Sequence, residues 1–99
     1  MEKRFSAKLL YRIRNKVPLA SLLKETLQYP CKKIEGYDRF LCPKCCDFNT
    51  AINPKNNLGR CFRCEENFNG IDLVMLLEGM KFVEAVYFLE KLLPEKTSI

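Results

Sequence analysis

The chain has 99 residues, no histidine and a formal net charge of +5 at pH 7. This length predicts one domain over 1–99, with its core at about 12–93 and a loose tail at 94–99. The absence of histidine excludes imidazole metal ligands and the catalytic arrangements that depend on histidine. No stretch reaches the ~20 apolar residues of a membrane span, and the first residues lack a signal-peptide pattern. We therefore expect a cytoplasmic protein with reduced thiols and no membrane partner.

Two helices are predicted before the first cysteine pair. Apolar residues recur at helical spacing over 5–16, with basic residues between them. Pro18 then suits the first turn of a second helix at roughly 18–28, which Pro30 brings to an end. Small domains bury such apolar stripes, so we expect both helices to contribute to the core.

The middle of the chain predicts two β-hairpins. Residues 31–42 are rich in strand-forming side chains around a turn at Glu35-Gly36. A third strand is predicted within 47–54, and a fourth at 60–62 after a turn-rich segment. Each hairpin leads into a pair of cysteines.

A loop and two further helices are predicted for the last third of the chain. The polar segment 65–70 is predicted as a loop. A helix follows at 71–78, for which Gly79 is a suitable C-terminal cap. The last helix is predicted at 81–93, where Pro94 stops it.

Four of the six cysteines form two CxxC pairs, and 15 residues separate Cys45 from Cys61. Two such turns can supply four thiolates in a tetrahedron, which is the geometry of one structural Zn²⁺ site. Four sulfurs leave no open position for water, so a catalytic zinc is not expected. The predicted ligands are Cys42, Cys45, Cys61 and Cys64. The predicted fold class is α+β: a zinc ribbon on a small antiparallel sheet, flanked by two N-terminal and two C-terminal helices.

The choice of ligands leaves alternatives open. Cys46 competes with Cys45, but Cys42-Pro43-x-Cys45 forms the tighter turn and lets backbone N–H groups point at the sulfurs. Cys31 is interpreted as a small buried hydrophobic residue. A disulfide between Cys31 and Cys46 is disfavoured in the cytosol, and four merely buried or paired cysteines are the alternative to a metal site.

The order of these motifs resembles the zinc-binding domain of bacterial DnaG-type DNA primases over roughly 12–93. The motifs that carry the resemblance are Cys42-Pro43-x-Cys45, Cys61-Phe62-x-Cys64 and Gly79-x-x-Phe82-Val83-Glu84-Ala85. In that family the module is a zinc ribbon that contacts single-stranded template and helps the catalytic domain start an RNA primer. The resemblance implies that Cys42, Cys61 and Cys64 fall on family metal ligands, and that Cys45 falls where the family usually has histidine.

The resemblance implies a part in DNA replication without catalysis by this chain. No cluster of acidic residues of the kind that holds Mg²⁺ is evident in the sequence. We therefore expect a non-enzymatic module that acts with a separate primase catalytic subunit or a helicase.

Single-stranded DNA is the expected ligand. Residues 32–63 carry seven basic and three acidic residues, interleaved with aromatic side chains such as Tyr37. Cations can follow a phosphate backbone while aromatic rings stack on bases. The candidate contact residues are Lys32, Lys33, Arg39, Phe40, Lys44, Arg60, Phe62 and Arg63.

Two other functions fit parts of the sequence. Residues 64–99 carry seven acidic and three basic residues, which favours a ribbon that docks to a replication or transcription enzyme without contacting nucleic acid. Two CxxC pairs can also hold a single iron for electron transfer. The glycine and aromatic residues expected around such an iron are missing, so this reading is disfavoured.

Overall fold

Five strands form one antiparallel sheet in which the spatial order follows the chain. The computed structural model describes residues 5–48 and 50–93. The strands are β1 (Cys31–Ile34), β2 (Tyr37–Phe40), β3 (Thr50–Asn53), β4 (Leu58–Cys61) and β5 (Glu66–Phe68). Both predicted hairpins are confirmed. The first turns at Glu35 and Gly36, whose φ angles of 53° and 83° are those of a tight two-residue hairpin turn.

The fifth strand corrects the predicted loop at 65–70. After the turn at 61–64 the chain reverses and pairs with β4, which would otherwise be the edge of the sheet. Phe68 pairs with Gly59 and is 2% exposed, so its side chain belongs to the core. In the sequence, this short strand was indicated by the apolar Phe68 after the polar Glu66 and Asn67.

In the described part of the chain, four helical segments pack on one side of the sheet. They are α1 (Ala7–Lys16), α2 (Leu19–Ser21) with its continuation as a π-helical turn (Leu22–Thr26), α3 (Gly70–Glu78) and α4 (Phe82–Glu90). All four lie within the predicted ranges or one residue outside them. α4 ends before the predicted limit of 93, and Pro94 lies outside the described residues. Within the described part of the chain, no helix is long and apolar enough to cross a membrane.

Local hydrogen bonds explain where the helices begin and end. The Ser6 side chain accepts a hydrogen bond from the Leu9 N–H at the start of α1. Asn69 and Asp72 form a reciprocal capping box at the start of α3. Gly79 ends α3 with φ of 66°, as expected for a left-handed glycine cap.

The helices cover one face of the sheet and leave the other open. Directly paired residues share a face in an antiparallel sheet. One cross-strand row contains Phe40, Thr50 and Cys61, all buried in the core that the helices also line. The predicted apolar stripes contribute to that core through Ile13 of α1 and Leu22 of the π-helical turn, among others.

Asn57 joins the two helices at the start of the chain to the turn between β3 and β4. Its amide nitrogen donates to the carbonyls of Arg14 and Val17, both at 2.8 Å. Its amide oxygen accepts from the Leu19 N–H at 2.9 Å. One nearly buried side chain therefore satisfies three backbone groups between α1 and α2, and holds this junction against the sheet.

Candidate metal centre and open sheet face

The two CxxC turns meet at one end of the sheet. β2 and β4 flank β3 and run in the same direction, so both strands deliver their following residues to the same end. Each cysteine turn closes with a backbone hydrogen bond, from the Cys46 N–H to the Cys42 carbonyl at 2.9 Å and from the Glu65 N–H to the Cys61 carbonyl at 2.8 Å. The topology therefore brings together cysteines that are far apart in sequence.

The four predicted ligand sulfurs form one compact cluster. The sulfurs of Cys42 and Cys64 lie 3.8 Å apart, and those of Cys45 and Cys61 lie 3.7 Å apart. All four lie within 4.8 Å of one another. Sulfurs placed at ~2.3 Å from the centre of a regular tetrahedron are separated by ~3.8 Å. The cluster can therefore hold one metal ion.

Backbone N–H groups point at two of these sulfurs. The Lys44 and Cys45 N–H groups lie 3.3 and 3.5 Å from the Cys42 sulfur. The Cys64 N–H lies 3.3 Å from the Cys61 sulfur. Hydrogen bonds of this kind stabilise thiolates and fix their direction, as the tight-turn argument predicted.

The cluster titrates unevenly. Burial acts to raise the pKa of Cys61, but hydrogen bonds from the Cys64 backbone and from the Cys42 and Cys45 thiols lower it to about 7. Burial, together with hydrogen bonds to Cys45, Cys42 and Cys61, raises the pKa of Cys64 to about 12. Cys61 therefore ionises readily, whereas ionisation of Cys64 is unfavourable. A bound divalent cation stabilises the thiolates, so metal binding must release protons.

The remaining two cysteines lie outside the cluster. Cys46 is exposed and has φ of 59°, which turns the chain out of the metal loop. The group of cysteines that could hold a metal ion therefore contains Cys45 and not Cys46. Cys31 on β1 is partly buried against the core, and burial raises the pKa of its thiol. All six cysteines are free thiols within the described chain, which includes each of them.

The open face of the sheet carries a row of polar side chains across all five strands. In register, the row contains Lys32, Arg39, Ala51, Arg60 and Asn67. The small Ala51 side chain separates the two arginines, whose Cα atoms are two strand spacings, or roughly 10 Å, apart. The row therefore forms a notch between two guanidinium groups.

This notch is the middle of a groove of about 480 Å³. The groove is lined by Tyr37, Arg39, Ala51, Ile52, Asn53, Asn56, Leu58, Arg60, Phe62 and Asn67. Among the described residues, none of those lining it is acidic. Tyr37 and Phe62 are 53% and 60% exposed, so aromatic rings stand at two places on its border.

Phe40 corrects one of the predicted nucleic-acid contacts. Its side chain is 0% exposed and lies on the core face, beside Gly59 and edge-on to Tyr29. Successive strand residues point to opposite faces, so the burial of Phe40 follows from the exposure of its neighbour Arg39 to the groove. Phe40 cannot stack on a base. Sequence reasoning did not select the groove asparagines. Asn53 and Asn67 lie in phase with the arginine row, whereas Asn56 lies in the turn between β3 and β4.

The other predicted cations lie outside the groove. Lys44 contacts Glu66 at 2.7 Å, and this hydrogen bond raises the pKa of Lys44. Arg63 lies 3.3 Å from Asp47. The other two are Lys33, which points to the helical side and lies 3.9 Å from Asp38, and Lys32, which lies over the Phe48 ring at 5.1 Å.

Comparisons with known proteins do not assign the chain to a family. A scan against protein-family models finds no matching family, and a search of curated proteins finds no relative. The function is therefore argued from the geometry of the cysteine cluster and of the open sheet face.

Proposed function

We propose that the four clustered cysteines bind one structural Zn²⁺. Four thiolates form a closed donor set that suits zinc, and the sulfur separations fit its tetrahedral geometry. Two of the sulfurs belong to fully buried residues at the ends of β2 and β4. Zinc binding therefore stabilises the end of the sheet from which the open-face groove extends.

The open sheet face is proposed to bind single-stranded DNA. The observation that carries this proposal is the groove free of acidic residues, with Arg39 and Arg60 on either side of Ala51. Guanidinium groups in such a notch can bind the phosphate backbone. Tyr37 and Phe62 supply exposed rings on which bases can stack.

Arg39 shows why a ligand is expected at the notch. Its Nε is buried and has no hydrogen-bond partner within the described residues. Its terminal nitrogen lies 3.8 Å from the largely exposed carboxylate of Glu35, and an exposed pair of this kind contributes little. A phosphate in the groove would therefore compete only with this weak ion pair for the terminal nitrogen of Arg39.

The two aromatic rings set the scale of the ligand. Tyr37 precedes Arg39 by two residues in β2, and Phe62 follows Arg60 by two residues, one position past the end of β4, which runs in the same direction. The rings therefore lie at diagonally opposite corners, with Cα atoms about 13 Å apart along the strands and roughly 16 Å apart overall. An extended segment of a few nucleotides can bridge that span, whereas a rigid duplex cannot place bases on both rings.

We propose a role of the primase type, together with a separate catalytic subunit. The motifs of the cysteine turns and of Gly79–Ala85 support this role, as does the position of the ribbon on an antiparallel sheet between helices. In this role the sheet face holds template strand while another chain performs the chemistry.

Docking to a partner protein is the second candidate function. From 64 to 93 the chain carries six acidic and two basic residues, most of them on the helical side. This charge opposes DNA and suits a basic protein surface. Recovery of a replication or transcription enzyme with the protein, unaffected by changes to Arg39 and Arg60, would favour docking over DNA binding.

Fluorescence anisotropy with labelled oligothymidylate tests the DNA-binding proposal. The zinc-loaded double variant Arg39→Gln, Arg60→Gln should bind at least about tenfold more weakly. The salt slope, meaning the slope of the logarithm of the binding constant against the logarithm of the salt concentration, should fall in magnitude by about 1.4 because two phosphate contacts are lost. Lys91→Gln, which changes an exposed cation after α4, should bind as the wild type does. Equal affinity of the double variant and the wild type would contradict the proposal.

A further inference from the structure

α1 carries a stripe of cations that the sheet-face proposal does not use. Lys8, Arg12 and Lys16 recur at every fourth position and so lie along one side of the helix. The sequence of α1 contains no acidic residue. Lys8 and Lys16, at the two ends of the stripe, are both exposed.

An exposed aromatic ring accompanies this stripe. Tyr11 is 57% exposed and follows Lys8 by three residues, so the two side chains are neighbours on the helix surface. The Tyr11 carbonyl also accepts a hydrogen bond from the Asn15 amide at 2.8 Å. The outer side of α1 therefore combines cations, an aromatic ring and an amide, the same side-chain types that line the groove.

The apolar side of α1 is already used by the core. Ile13 is fully buried, and Leu9 and Leu10 are packed against the core cluster. A helix that binds a bilayer surface needs a free apolar side to insert between lipids. α1 has no such side, so the stripe fits a soluble polyanion better than a membrane.

A second depression connects the groove to the end of α1. It has a volume of about 270 Å³ and shares Tyr37 and Ile52 with the groove. Its other side is formed by Pro18 and Ala20, directly after Lys16 and Val17, and by Asn57, which holds this junction against the sheet. A chain that leaves the groove beside Tyr37 thus reaches the basic end of α1 without crossing the helical core.

The charges in this depression permit a polyanion to pass. Asp38 contributes one carboxylate, but Lys24 lies 2.9 Å from it and Lys33 lies 3.9 Å from it. The three side chains together carry a net charge of +1, because two lysines face one aspartate. Two lysines therefore offset the one carboxylate that lines the depression, and Lys16 lies two positions before Pro18 at its far side.

We propose that single-stranded nucleic acid longer than the groove continues past Tyr37 onto α1, where Lys8 and Lys16 contact phosphates and Tyr11 contacts a base. This extended path rests on the proposed function of the sheet face. It predicts two classes of ligand length: a short strand that needs the groove alone, and a longer strand that also needs α1.

Binding of short and long oligothymidylates by the whole protein tests the path. Lengths of about four and about 16 nucleotides span the usual range for one small binding module. The variant Lys8→Gln, Lys16→Gln should bind the long strand roughly tenfold more weakly, with a salt slope reduced by about 1.4, and bind the short strand unchanged. Glutamine is a good helix former, so α1 should be retained, which circular dichroism checks.

The control is Lys81→Gln, Lys91→Gln, which removes two exposed lysines that flank α4 and are not part of the α1 stripe. It should leave both affinities unchanged. The extended path is overturned if the α1 variant binds both strand lengths equally more weakly, or if its affinity for the long strand falls no more than that of the control. It is also overturned if the only binding that the α1 variant loses is binding to vesicles of phosphatidylglycerol. If the α1 variant behaves like the control while the short strand still binds the groove, the extended path fails and the sheet-face function stands. If the wild type does not bind the short strand, the sheet-face function fails, and with it the path that begins there.

Discussion

The two faces of the sheet are built from the same strands but carry different properties. Phe40, Thr50 and Cys61 form a buried row, and their chain neighbours Arg39, Ala51 and Arg60 form a row on the open face. Alternation along each strand therefore separates residues that hold the fold from residues that meet a ligand. Substitutions on the buried face should change stability, and substitutions on the open face should change binding with little effect on stability.

The largest expected effect is the loss of a ligand on the buried face. Cys61→Ser should abolish stoichiometric zinc binding and unfold most of the protein, because structural zinc contributes ~10 kcal/mol or more to small domains. That amount is comparable to the whole stability of an ordinary domain. Metal analysis and thermal melts followed by circular dichroism measure both losses.

Cys46→Ser is the matched control, because Cys46 is exposed and outside the cluster. It should keep its zinc and remain within ~0.5 kcal/mol of the wild type. Zinc loss by Cys46→Ser, or full zinc retention by Cys61→Ser, would contradict the assigned ligand set.

The next effect should come from the residue that ties the helices to the sheet. Asn57→Ala removes three hydrogen bonds, two buried and one partly buried, and places alanine at φ of 56°, so we expect a loss of about 3 kcal/mol or more in the free energy of unfolding. Chemical denaturation measures it. Glycine adopts this backbone conformation without strain, so Asn57→Gly should be slightly more stable than Asn57→Ala. It should still lack the stability that the three hydrogen bonds provide.

A small enlargement of one side chain on each face distinguishes the two faces directly. In Gly59→Ala the new Cβ would lie 2.9 Å from the Phe40 ring, so we expect a loss of ~1–3 kcal/mol from overpacking. Ala51→Val enlarges a side chain on the open face, where β-branched residues suit a strand, and should not destabilise the protein. Equal melting temperatures for the two variants would show that the faces do not differ as described.

The smallest effect on stability, but a clear one on binding, is expected at Phe62. Its ring is exposed, so Phe62→Ala should change the free energy of unfolding by less than ~0.5 kcal/mol. Loss of one stacked base should weaken single-stranded DNA binding by ~1–3 kcal/mol, measured by anisotropy. Leu76→Ala, an exposed apolar residue on α3, should change neither quantity.

Much of the local structure and the metal cluster followed from the sequence alone. Apolar spacing, Pro18 and Gly79 predicted the helices, because helix formation depends on residues three or four apart. The CxxC spacing predicted the four sulfurs, because each pair is a local turn with few geometric solutions. The sequence-based preference for Cys45 over Cys46 also depended on local geometry, because Cys42-Pro43-x-Cys45 forms the tighter turn.

Only the tertiary structure decided which face of each strand meets solvent. Phe40 and Arg39 are adjacent in sequence, but Phe40 is buried and Arg39 lines the groove. This difference depends on which side of the sheet the helices cover. β5 depended on the free edge of β4, and the role of Asn57 depended on a junction about 40 positions earlier in the chain. These are long-range contacts, whose partners are set by packing of the whole chain rather than by the spacing of neighbouring residues.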